Sequence, residues 1–184
     1  MLTFKNVVRY SIITIVTISL AWGQSFGKNK VQYREFDWSY IQTHHFDIYF
    51  YGGEQNLAEF TSDVAEEAYE QISKHLSWNL RKRVSILVYN SHNEFQQTNV
   101  VGTYMSEGIG GVTELFKNRI VFPFSGNYEQ FRHVIHHELV HAMLNDMVYG
   151  GSMQNVVSSR TKLRIPIWAN EGLAEFLSSN WDTK

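Results

Sequence analysis

Residues 131–151 read FRHVIHHELVHAMLNDMVYGG and hold four of the chain's eight histidines, His133, His136, His137 and His141, with one acid, Glu138, among them. Residues four apart on a helix stand one turn above each other, with Cβ atoms about 5–6 Å apart. His137 and His141 can therefore bring two imidazole nitrogens to one ion, while Glu138 projects from the adjoining face toward the same cleft. His133 lies one turn earlier on that face, and a His133/His137 pair could also chelate. Only the His137/His141 choice leaves Glu138 beside the ion as a base, so His133 is expected at the helix surface or behind the ligands. His136 points about 100° away on the helical wheel and cannot share the ion.

The same stretch carries Phe131, Ile135, Leu139, Ala142 and Met143 opposite the histidines, with Leu144 and Val148 beneath the histidine face. A helix that is apolar on both sides belongs in an interior, where two imidazoles without partners would be costly. A metal ion would satisfy both; hydrogen bonds to backbone carbonyls are the other account. The spacing predicts a helix from about Tyr128 to Val148, closed by Gly150 and Gly151.

An ion that does chemistry normally takes three protein ligands and water. The stretch WANEGLAEF, residues 168–176, supplies Glu171 and Glu175, four apart on one helix face. One can ligate the ion, and the other can hold a ligand histidine by its free ring nitrogen. Their neighbours Trp168, Leu173, Ala174 and Phe176 suggest a packed rather than a solvated setting. Pro166 suits the first turn of this last helix.

HELVH followed by NEGLAE resembles the gluzincin metallopeptidases, in which a glutamate from a later helix completes the metal site. The order HFDIYFY, helix, strand, HELVH and IPIWANEGLAE is similar to the peptidase MA-like domains that begin secreted bacterial proteins carrying a Tol-type β-propeller. The likeness covers roughly Trp38 to Trp181. It implies a zincin-like fold, zinc as cofactor, His137, His141 and Glu171 as ligands, Glu138 as general base and Glu175 behind the ligands. It also implies a C-terminal subdomain or propeller beyond Lys184, so the chain reads as shortened at that end.

The segments ahead of the histidine helix set the fold class. Phe46, Ile48 and Phe50 alternate with polar and aromatic residues up to Gly52-Gly53, as in a strand and turn that would include His44 and His45. From Glu54 to Leu76 apolar residues recur every three or four positions, predicting an amphipathic helix whose acids Glu59, Asp63, Glu66, Glu67 and Glu70 form a solvated face. Arg83 to Tyr89 is a further strand, and Ser91 is placed to cap a short helix. Gly110 to Leu115 and Arg119 to Phe124 read as a hairpin turning near Lys117 and Asn118, with Pro123 favouring an edge. Strands first and long helices later indicate an α+β protein with a mixed sheet, an edge hairpin packed on the histidine helix, and a following helix for the third ligand.

The chain has 184 residues, 43% apolar and 15% aromatic, which suits one domain. A net charge of −2, from 16 basic and 18 acidic residues, leaves no broad footprint for nucleic acid. With no cysteine, disulfides, thiolate metal sites and a cysteine nucleophile are excluded. Lys5 and Arg9 precede an apolar run, Tyr10 to Trp22, with small residues at Ala21 and Gly23. That layout predicts a signal peptide over 1–23, an exported product in the periplasm or outside the cell, and no membrane span after cleavage. Residues 24–40 read as an extended arm and 41–184 as the peptidase-like domain.

The expected activity is hydrolysis of a peptide or protein substrate, with Glu138 taking a proton from an activated water and passing it to the departing amine. Tyr149 is the local candidate for an oxyanion donor, and the Gly110–Leu115 strand could pair with an extended substrate. Two other readings stay open: an envelope scaffold or partner-binding module that keeps a structural zinc site, and a hydrolase of a non-peptide amide or ester.

Overall fold

In the computed structural model, residues 33–99, 108, 110–114, 117–150 and 165–179 are described. The expected signal peptide, the first part of the arm, Leu115, Gly151 and the loop 152–164 lie outside them. The described residues form an α+β structure with a mixed five-stranded sheet and four helices.

The strands are β1 (Trp38–Gln42), β2 (Phe46–Tyr51), β3 (Val84–Tyr89), β4 (Val112–Glu114) and β5 (Arg119–Pro123). They lie in the order β1-β2-β3-β5-β4. β2, β3 and β5 run parallel, while β1 and β4 close the two edges antiparallel. Helix α1 (Gln55–Leu76) connects β2 to β3, and the one-turn α2 (His92–Phe95) follows β3. After β5 come α3 (Tyr128–Tyr149) and α4 (Ile167–Ser179).

Alternation along each inner strand sends one set of side chains to the helices. Phe46, Ile48 and Phe50 of β2, Val84, Ile86 and Val88 of β3, and Ile120 and Phe122 of β5 all enter the main core. The register aligns Ile48, Ile86 and Ile120 in one row across the sheet. On α1, Leu57, Val64, Ala68 and Ile72 are buried against this face while Glu59, Asp63, Glu67 and Glu70 are exposed, as the periodicity predicts. The opposite face is covered near one end by a smaller cluster of Tyr51, Tyr89, Phe95 and Val121 with Phe36 and Trp38.

Three local expectations change. Residues 38–40 are not an arm but the start of β1, an edge strand whose half-exposed residues show no apolar alternation. His44 and His45 lie in the turn before β2 rather than on a strand. Pro123 ends an interior strand: the Phe124 N–H donates to the Tyr89 carbonyl at 2.8 Å, so Pro123's nitrogen faces the other side, where β4 begins only opposite Val121. Its missing donor costs no ladder bond there.

α3 is walled in by the sheet, α1 and α4, so residues on several of its faces are buried, including His136, Glu138, His141 and Asp146. Asn127 caps its start, its side chain accepting from the N–H groups of Glu129 and Gln130 at 3.0 Å each. Gly150, at φ 64°, ends it by donating to the Asp146 carbonyl at 2.8 Å, a conformation glycine adopts without a Cβ clash.

Candidate metal centre

Helix period sets the first two donors. His137 and His141 share one face of α3, and their Nε2 atoms lie 3.2 Å apart. α4 packs against that face through Ala174, Leu177 and Ser178 and brings the Glu171 carboxylate over it. Glu171 Oε2 is 3.4 Å from His137 Nε2 and 3.4 Å from His141 Nε2. Among the described residues, this His137–His141–Glu171 set is the one group with three such donors close enough to hold a metal ion.

Glu175 stands one turn along α4. Its Oε2 is 3.6 Å from His137 Nδ1, the ring nitrogen on the side away from Glu171, and 3.7 Å from His133 Nε2. The same-face competitor His133 is thus beside Glu175, not beside Glu171. His136 is a core residue, and burial, with the Arg132 charge second, pushes its pKa down to about 4, so it is neutral at pH 7.

The apolar neighbours of Glu171 and Glu175 do not bury them. α4 lies at the surface, with Trp168 and Phe176 at 79% and 61% exposure, and both acids are exposed. An amphipathic helix shows apolar residues on its outer face too when only a narrow stripe, here Ala174, Leu177 and Ser178 with Leu173 beside them, meets its neighbour. Carboxylates at the rim of that stripe reach the histidines without leaving water.

Glu138 is treated differently. It is buried, and its Oε2 accepts a hydrogen bond from the Thr113 hydroxyl at 2.7 Å. That hydroxyl is also 3.0 Å from Glu138's own carbonyl oxygen. Burial raises the Glu138 pKa, and Glu171 adds to this, while Thr113, His141 and His137 act against it. β4 comes this close because Gly111 precedes it: a Cβ there would meet Glu138 Cγ at 2.8 Å and Phe122 Cδ1 at 2.9 Å.

The donors open onto a cleft of about 430 Å³ walled by Gly111, Val112 and Thr113 on one side and Asn145, Asn170 and Glu171 on the other. Thr113, Gly111, Asn145 and Asn170 are additions that the sequence reading missed. Asn145 could have been found, since it continues the four-residue spacing after His141, and Asn170 adjoins Glu171. Tyr149 is the last residue of α3, about 12 Å of helix rise beyond His141, and it is not among the residues that wall the cleft.

No protein-family model matches the chain, and no curated protein sequence matches it.

Proposed function

We propose that the chain is an exported zinc-dependent hydrolase acting on peptide bonds, with a zincin-like fold of the gluzincin type. The observation that carries the reading is the donor triangle. Tetrahedral zinc with ligand bonds of about 2.0–2.1 Å has ligand–ligand edges of about 3.3–3.4 Å. The three edges here are 3.2, 3.4 and 3.4 Å. Two imidazoles and one carboxylate are also a donor set of catalytic zinc sites, which keep a fourth position open.

His137, His141 and Glu171 would hold the ion, and Glu175, 3.6 Å from His137 Nδ1, would keep that ring turned so that Nε2 faces it. When bound, zinc supplies Lewis acidity, which makes a water acidic near neutral pH and polarises a carbonyl. The chain's own groups do the rest. Thr113 fixes Glu138 Oε2, which leaves Oε1 to take the proton from the attacking water and return it to the leaving amine nitrogen. The side-chain amides of Asn145 and Asn170 are the donors on the cleft wall for the carbonyl oxygen. β4 is an edge strand beside the cleft, which suits an extended substrate bound by strand addition.

The test compares zinc content and peptide cleavage for wild type, Glu138→Gln and Glu171→Gln. The proposal expects about one zinc per chain in wild type and in Glu138→Gln, with cleavage lost only from the latter, and zinc lost from Glu171→Gln. Wild type without zinc, or a Glu138→Gln chain as active as wild type, would overturn it.

A further inference from the structure

A second polar recess lies away from the metal centre, where β2 and β3 begin. The turn ahead of β2 carries His44 and His45, and the connection from α1 to β3 ends in Arg81, Lys82 and Arg83. The two are tied together: the Val84 N–H donates to the His45 carbonyl at 3.0 Å, and Arg83 Nε donates to the Thr43 carbonyl at 3.2 Å. Between them is a recess of about 420 Å³, lined by these five basic side chains together with Tyr69, Asn79 and Leu80, and by no carboxylate.

Three acids lie near, and two of them, Glu66 and Asp47, face basic groups of the recess from its rim. Glu66 accepts from the His45 N–H at 2.9 Å and lies 2.6 Å from His45 Nδ1. Asp47 accepts from Gln42 Nε2 at 2.8 Å and stands 4.0 Å from Arg83 Nε. Asp146 accepts from Trp78 Nε1 at 3.0 Å and from the Arg81 N–H at 3.2 Å. His45 and Arg83 are thus partly offset by Glu66 and Asp47, whereas Arg81 and Lys82 have no ion-pair partner among the described residues and no carboxylate lines the recess itself.

The donors are also held in place. The His45 ring stacks on Tyr69 with centroids 3.7 Å apart, and its Nδ1 is taken by Glu66, so the Nε2 edge is turned away from that acid. The Arg81 guanidinium lies 4.7 Å from the Trp78 ring, a stacking contact that leaves its N–H edge for a ligand. Arg83 spends Nε on Thr43 and keeps its two terminal nitrogens, the pair that grips an oxyanion in bidentate fashion. Lys82 adds a mobile point charge. Solvated surface cations are usually scattered and unrestrained; here two guanidinium groups and an imidazole are fixed around one concavity.

We propose that this recess binds a phosphate-bearing anion, either a soluble phosphomonoester or the headgroup of an anionic phospholipid. The site is independent of the metal centre and of the hydrolase reading.

The experiment titrates glycerol phosphate into the full metal-loaded chain at constant ionic strength, following the imidazole C–H resonances of His44 and His45. These lie outside the metal centre, so binding of the probe to metal is read separately. In parallel, the chain is sedimented with phosphatidylcholine vesicles with and without phosphatidic acid. A saturable shift with Kd on the order of 1 mM or tighter supports the soluble source. Sedimentation that needs phosphatidic acid supports the headgroup source. In either case Lys82→Gln/Arg83→Gln weakens binding by at least about ten-fold, while Lys74→Gln/Lys117→Gln, which removes the same charge elsewhere, leaves it unchanged; circular dichroism confirms that both variants fold. Absence of both signals, or equal weakening in the two double variants, overturns the proposal.

Discussion

The Thr113 hydroxyl lies 2.7 Å from Glu138 Oε2, so an edge strand reaches across to orient a carboxylate that α3 has buried. A hydrogen bond to a charged group contributes about 1.5–3 kcal/mol. On the proposed hydrolase reading, removing it by Thr113→Val is expected to lower the rate of cleavage by roughly ten- to a hundred-fold, since about 1.4 kcal/mol is a factor of ten. Zinc content stays the same, and Thr113→Ser recovers most of the rate. Steady-state kinetics beside elemental analysis checks this; a valine variant as fast as wild type would show that the contact does not orient the base.

Glu175 and His133 separate by the same logic. Partners behind metal ligands typically contribute 10–100-fold to affinity. Glu175→Gln should weaken zinc binding by about that much, and His133→Ala should leave it within about two-fold, because His133 touches Glu175 rather than the ion's donors. Competition against a chromophoric chelator measures both.

Gly111→Ala should destabilise the fold by about 1–3 kcal/mol, the usual cost of forcing extra volume into a packed site. The added methyl has Glu138 Cγ at 2.8 Å on one side and Phe122 Cδ1 at 2.9 Å on the other, and Phe122 is fully buried. Thermal melting of the metal-free protein isolates this effect; an unchanged midpoint would mean that β4 shifts at no cost.

Acid should weaken the turn before β2. Burial alone would raise the Glu66 carboxyl, but hydrogen bonds from His45 and Thr43 outweigh it and hold the pKa below the ordinary carboxylate value. The folded chain then binds fewer protons than the unfolded chain between the two pKa values. The contribution is complete above the unfolded pKa of about 4.3 and is lost as pH falls through the folded value. Urea denaturation at several pH values should show Glu66→Gln losing stability less steeply than wild type below about pH 4.3. Equal slopes would refute the linkage.

Features that follow from local periodicity were legible in the sequence. The four-residue spacing of His137 and His141, the Glu171 and Glu175 pair, the apolar stripe of α1 and the alternation in β2 are each fixed by one element's own geometry. What could not be read depends on two elements meeting. Thr113 matters only because a three-residue strand crosses α3 at Glu138. Trp168 and Phe176 look like core residues by composition, and are exposed because α4 touches α3 through a narrow stripe. β1 escaped notice because both of its faces are partly solvated, which removes the alternation that betrays a strand.

That narrow stripe has a dynamic consequence. Three buried residues, Ala174, Leu177 and Ser178, seat a helix of 13. α4 is seated by this stripe, with Leu173 partly buried beside it, and on the proposed reading it carries a donor to the same ion as α3. Chelation then works as a clasp: the free energy of binding the ion is also the free energy of keeping α4 docked. In hydrogen–deuterium exchange the amides of α4 should exchange far sooner than those of α3 when the metal is stripped, and slow markedly when it is restored.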